Sequence, residues 1–160
     1  MTTEQLAIDS ALSSWKLVTG RADRTFSKLS EEQLFKEIVR GRNRPIYIWG
    51  HITAVHDALL TILGLGERLH PELDAIFVTA SDKTVDMVPS GAVLKGYWDE
   101  INTRLYVEFN RLSAEDWLKR HMSMSDEDYA KDPLRNRLSV LLSRTNHTSF
   151  HLGQVILATN

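Results

Sequence analysis

Cysteine is absent from all 160 residues. Its absence excludes disulfides, thiolate zinc sites, iron–sulfur clusters and a cysteine nucleophile. Any metal must therefore be taken by His, Asp, Glu or backbone oxygen, and the composition fits a reducing, cytoplasmic setting. An excess of one charge sign is also missing. Nineteen Lys and Arg stand against 21 Asp and Glu, for a formal net charge of −2, so no electrostatic pull toward nucleic acid or an anionic membrane is expected. No apolar run reaches the roughly 18 residues of a membrane span. The opening MTTEQLAIDSALSSWK lacks the basic region and apolar stretch of a secretory signal. Repeats, low-complexity tracts and long linkers are lacking too. What remains is ordinary: 42% hydrophobic and 25% charged residues, the balance of a soluble globular protein. The length suits one domain over residues 1–160, large enough to bury its own core.

Four segments carry helical periodicity. In the first, about Thr3 to Leu29, Ile8, Ala11, Leu12, Trp15, Val18, Ala22, Phe26 and Leu29 form one apolar stripe. Ser30-Glu31-Glu32-Gln33 then reads as a capping box that starts a short helix through Ile38. The second long helix runs from about Pro45, suited to a first turn, to Leu63, with Gly64 and Gly66 to stop it. From Gly66 to about Ser90 the pattern is irregular. Ala75-Ile76-Phe77-Val78 has strand-like composition but nothing to pair with, so the segment reads as a long connection holding one helical turn. The third helix spans about Ser90 to Leu112. A linker containing Trp117 and His121 follows, and the fourth helix is expected from Asp132, as N-cap before Pro133, to Ala158. Its stripe is Leu134, Leu138, Leu141, Leu142, Thr145, Leu152 and Ile156. Four long amphipathic helices without a confident strand predict an all-α four-helix bundle.

The six histidines are His51, His56, His70, His121, His147 and His151. His147 and His151 stand four apart, roughly 40° in azimuth and one turn along a helix, so both imidazoles can reach one ion. The residues between them are Thr148, Ser149 and Phe150, so the Glu base of a metalloprotease motif is missing. The pair flanks the Leu stripe, a position that suits a metal site in a cleft at the bundle's edge and equally a solvated face. His51 lies inside the apolar arc of the second helix, where an imidazole needs a partner. Alone it reads as a satisfied core histidine; beside the pair, a third ligand is the more economical reading. Three neutral imidazoles would leave positions open for water or substrate. They suit zinc or nickel first, with iron or manganese behind. His56, about 140° away from His51, and His70 and His121, in connections, are not expected to be ligands. Gln154 falls on the metal side of its helix, either supporting His151 from behind or sitting on the surface. Glu108 reads as a rim carboxylate paired with Lys or Arg, or else as a buried acid–base group. One ExxH, Glu67 to His70, is too little for a carboxylate-bridged di-iron bundle.

Ile48-Trp-Gly-His-Ile-Thr-Ala54 and Asn146-His-Thr-Ser-Phe-His-Leu-Gly-Gln154 together resemble the DinB-like superfamily, and helix order and lengths match it over nearly the whole chain. The resemblance implies an up-down four-helix bundle with a long crossover between the second and third helices, a three-His site for nickel, zinc or a similar ion at His51, His147 and His151, and a homodimer. It also implies thiol-dependent chemistry on small molecules, as in the bacillithiol and mycothiol transferases of that family. No recognisable thiol-binding motif accompanies it. Three functions follow for test: a metal-dependent thiol transferase or hydrolase, a non-catalytic metal-stabilised bundle, and a bundle without metal.

Overall fold

The computed structural model describes residues 1–157, so the expected helix end at Ala158 lies outside them. Helix α1 (Thr3–Ser27) begins where the Thr2 hydroxyl accepts from the Gln5 amide. It buries Ile8, Ala11, Trp15, Ala22 and Phe26, the centre of the expected stripe. The capping box at Ser30 and Gln33 forms in both directions and opens the short α2 (Glu31–Phe35). Helix α3 (Pro45–Ile62) starts on Pro45 and is buried over much of its surface. It ends before Gly64 and Gly66, which both take the positive φ that glycine alone adopts without strain. Helix α4 (Gly91–Phe109) is capped by Ser90. After the short α5 (Ala114–Leu118) and α6 (Asp126–Lys131) comes α7 (Arg137–Ile156). Among the described residues no strand forms; Arg120 and Asn136 make only an isolated bridge.

The four long helices form the bundle. Phe26 stacks on Trp49 at 5.0 Å while Trp15 meets His56, so α1 and α3 are antiparallel. Lys95 pairs with Asp23 and Lys16 lies over Tyr106, so α1 and α4 are antiparallel as well. Helices α3 and α4 therefore run parallel, which is possible only because a long crossover joins them. Helix α7 opposes α3, since His51 meets His151 while His56 meets Thr148.

The crossover is tied down by buried charge. Asp57 of α3, fully buried, accepts from Arg68 Nε at 3.0 Å and from the amides of Leu69 and His70; Arg68 also clamps Asp74. Further along, Asp82 returns to α3 and binds the Arg44 guanidinium and amide. Between these anchors, Ala75–Thr79 makes one π-helical turn, in place of a strand.

Two parts of the prediction are corrected. The last helix starts at Arg137, capped by Asn136, not at Asp132. Asp132 closes α6 in a non-helical conformation, as a residue before proline tends to. The bond from the Arg137 amide to the Lys119 carbonyl holds this stretch against the linker. Leu134, Leu142 and Ile156, expected in the core, are exposed; Leu141, Thr145 and Leu152 are buried as expected, joined by Thr148 and Val155.

Two apolar clusters fill the bundle, one around Phe26, Trp49, Phe77 and Leu152 and one around Ile8, Trp15, Leu59 and Leu141. His56 stands with a layer of polar groups inside this core. Its Nδ1 lies 2.9 Å from Asn102 Oδ1 and its Nε2 2.9 Å from Thr148 Oγ1. Asn102 Nδ2 already donates to the Trp98 carbonyl, which leaves Oδ1 as acceptor. His56 Nδ1 therefore carries the proton, and Nε2 faces the Thr148 hydroxyl, whose single proton it shares with the Arg144 carbonyl. Burial, against the pull of Asn102, drives the His56 pKa down to about 3. His56 is a core histidine that stands apart from the three-His cluster; its azimuth gave only that it points away from His51.

Candidate metal centre

Three helical turns converge on one point. His51 projects from the second turn of α3; His147 and His151 project from successive turns of α7. The three imidazoles are partly buried, and their ligand nitrogens lie within 4.8 Å of one another. His51 Nε2 is 3.2 Å from His147 Nε2, and His147 Nε2 is 3.1 Å from His151 Nε2. Two nitrogens each 2.0–2.1 Å from a tetrahedral ion stand about 3.3 Å apart, so these separations match a common cation.

The protons argue the same way. His51 Nδ1 lies 2.8 Å from the Phe77 carbonyl, which can only accept, so it donates. His151 Nδ1 lies 2.9 Å from Gln154 Oε1 and donates in turn. Both residues therefore point an unprotonated Nε2 at the same space. Lone pairs so placed repel unless a cation or a proton lies between them. The oxygen acceptors behind the rings are the arrangement that fixes tautomer and raises basicity in metal-ligating histidines. His147 Nδ1 differs: it is buried and has no hydrogen-bond partner.

Electrostatics keep the rings in ligating form. Burial lowers the His147 pKa to about 4, with help from His151, His51 and Arg144. Burial also lowers His151, with His51 adding to it and Gln154 opposing. At neutral pH a proton competes poorly for the nitrogens of His147 and His151.

The second support for His51 depends on a glycine. A Cβ on Gly50 would stand 2.3 Å from the Phe77 ring. Only glycine lets the π turn pack this closely on α3 and bring its carbonyl to His51. Tyr47, one turn before His51, donates to the Ala80 carbonyl at 2.7 Å and holds the other end of the turn. Gln154 also lines a cavity of about 370 Å³, with Ile38, Arg42, Asn43, Ile48 and Leu157, so open space lies behind the support of His151.

The remaining residues separate as follows. His70 is bound by Glu72 and Glu100, and His121 lies in the linker; neither joins the cluster. Glu108 is buried yet paired with Arg104 and Arg111, so the expected ion pairing is present without the expected rim exposure. The Phe77 carbonyl and Gly50 were not visible as site components in the sequence, because a backbone acceptor leaves no residue signature. A Trp-Gly-His triplet on a helix is the one signal that could have suggested a close approach there.

Comparison with known proteins places the chain by family and by fold. Residues 15–155 match the model of the DinB superfamily. Among solved structures, the mycothiol-dependent maleylpyruvate isomerase superposes with a TM-score of 0.66 at 16% identity, covering 97% of this chain and 63% of that one. The chain thus spans under two thirds of that relative's length, and the likeness is one of fold. No curated protein matches.

Proposed function

We propose, for a chain that belongs to the DinB superfamily over residues 15–155, that it holds a divalent ion at His51, His147 and His151 and acts on a small molecule as a thiol-dependent transferase or a hydrolase. The observation that carries the reading is the pair of donated Nδ1 protons, which leave unprotonated Nε2 atoms aimed at one point. Zinc and nickel fit three imidazoles best, with iron and manganese next. Such an ion supplies a Lewis acid with open positions, able to acidify a thiol or a water placed on it. The chain's own residues orient the imidazoles and hold His147 and His151 neutral. With no cysteine in the chain, a thiol has to arrive as a free cosubstrate. The structural relative's dependence on mycothiol supports a thiol over water.

One observation favours a second reading, a non-catalytic bundle stabilised by metal: no carboxylate belongs to the three-His group, so no side-chain base stands ready. Elemental analysis of the wild type beside His51→Ala and His147→Ala tests the centre. One ion per chain in the wild type and a clear loss in both variants are expected; equal content in all three would sink it. A screen of low-molecular-weight thiols for tight binding to the loaded protein then separates enzyme from scaffold.

A further inference from the structure

Most half-buried arginines in this protein are neutralised, although Arg137 has, among the described residues, no ion pair and a shielded Nε, with only the Asp116 carbonyl within reach of its Nη1. Arg44 is paired with Asp82, and Arg68 with both Asp57 and Asp74. Arg144 is different. It is partly buried, its Nε is shielded from solvent without a hydrogen-bond partner, and among the described residues it has no ion pair. Burial correspondingly lowers its pKa. A guanidinium so placed costs stability, and among the described residues no carboxylate pairs with it.

Its position connects it to the histidines. Arg144 precedes His147 by three residues and His151 by seven, which puts it about 20° from His151 on the helix surface and one turn from His147. Its charge helps depress both His147 and His56. Along α7, Val140, Arg144, His147, His151 and Gln154 are all half-buried, a stripe at helical spacing. On α3, His51, Val55 and Ala58 form the facing half-buried stripe. The two stripes meet at the imidazoles, and the α3 residues level with Arg144 are the small Val55 and Ala58. The seam between α3 and α7 thus holds a neutral ligand triad and, one turn away, an unpaired planar cation.

We propose that Arg144 is the anion-recognising residue of this seam, pairing with a carboxylate of the small-molecule substrate or thiol cosubstrate whose other end lies at the histidines. A single guanidinium offers two parallel N–H donors, the match for one carboxylate. The inference rests on the metal reading for the second end of the ligand, but not for the anion site itself.

The test compares 3-mercaptopropionate with 2-mercaptoethanol on cobalt-loaded protein, followed by the thiolate-to-cobalt absorption band. At least tenfold tighter binding of the carboxylated thiol is expected. In Arg144→Gln that preference should collapse while metal content and 2-mercaptoethanol affinity stay unchanged, with Arg144→Lys in between. A preference undiminished in Arg144→Gln overturns the proposal. If the wild type takes up no cobalt, the metal reading has failed separately. The anion site is then read by titrating propionate into metal-free protein: binding lost in Arg144→Gln supports it, and equal binding in wild type and variant overturns it. A thermal midpoint of metal-free Arg144→Met at or above the wild type supports a guanidinium kept for a ligand, and a lower midpoint marks it as structural and counts against the proposal.

Discussion

At the scale of single residues, the centre depends on atoms behind the imidazoles as much as on the imidazoles. Gln154 Oε1 accepts the His151 Nδ1 proton and so decides which nitrogen faces the cluster. Leucine at 154 fills similar space without an acceptor. Gln154→Leu should therefore lower metal affinity by about 10–100-fold and leave the fold intact, as checked by competition with a chromogenic chelator and by far-ultraviolet circular dichroism. Unchanged affinity would mean that Gln154 is a surface residue whose contact is incidental. Helical spacing alone places His147, His151 and Gln154 on one face of the last helix and His51 on the apolar side of another, because a 3–4 residue repeat maps directly onto one helix face; these are the side chains that the fold brings together. Spacing could not reveal the partners of His56. Asn102 and Thr148 lie on other helices, and pairing between helices is not encoded in the periodicity of either one.

At the scale of elements, the π turn is what joins the crossover to the site. Gly50→Ala places a methyl against the Phe77 ring, in a core where both groups are fully buried, and the ring cannot yield without moving its own carbonyl. A loss of about 1–3 kcal/mol is expected from such overpacking, measured by urea unfolding, together with weaker metal binding as His51 loses its acceptor. Full stability in the variant would show that the turn adapts freely. The crossover's other anchor makes a separate prediction. Arg68→Ala leaves Asp57 buried without its cation, at a cost of about 3–5 kcal/mol; Asp57→Asn combined with it should recover part of the loss. The long helices were legible to within a few residues, since their stripes are long. The short α5 and α6 were not, although Ser113 with Asp116 and Ser125 with Asp128 repeat the capping spacing seen at Ser30 with Gln33. Their apolar content is too small to show a period. The late start of α7 was hidden for a related reason: Asp132 and Pro133 are good helix-opening residues locally, and the bond that delays the helix comes from Lys119 in the linker.

For the whole molecule, the histidines couple folding to acidity. An unfolded chain titrates its histidines near 6.5, whereas the folded chain holds His56 down at about 3 and His147 at about 4, with His151 and His121 also lowered, in each case mainly by burial. Below pH 6.5 the unfolded state therefore binds protons that the folded state refuses, and stability must fall as pH falls. His56, fully buried, contributes about 1.4 kcal/mol per pH unit over that range. His70 acts in the opposite sense. Burial works against its charge, but Glu100 and Glu72 outweigh it and raise its pKa, so its contribution is present in acid and is lost as pH rises through the folded value. Four lowered groups against one raised group give a net loss between pH 6.5 and 4, a window above the range where carboxylates such as Asp74, lowered by Arg68, begin to matter. The metal-free protein should accordingly lose stability from pH 7 to pH 4.5 in urea titrations, and His70→Gln should steepen the fall. Metal enlarges the effect: an ion at a hundred times its dissociation constant adds about 2.7 kcal/mol at neutral pH, and that increment fades in acid as protons compete for His51, His147 and His151. A metal-free stability that stays level or rises between pH 7 and 4.5 would contradict the buried, neutral state of His56, His147 and His151, and with it the reason the two nitrogens of the last helix are available to an ion at all.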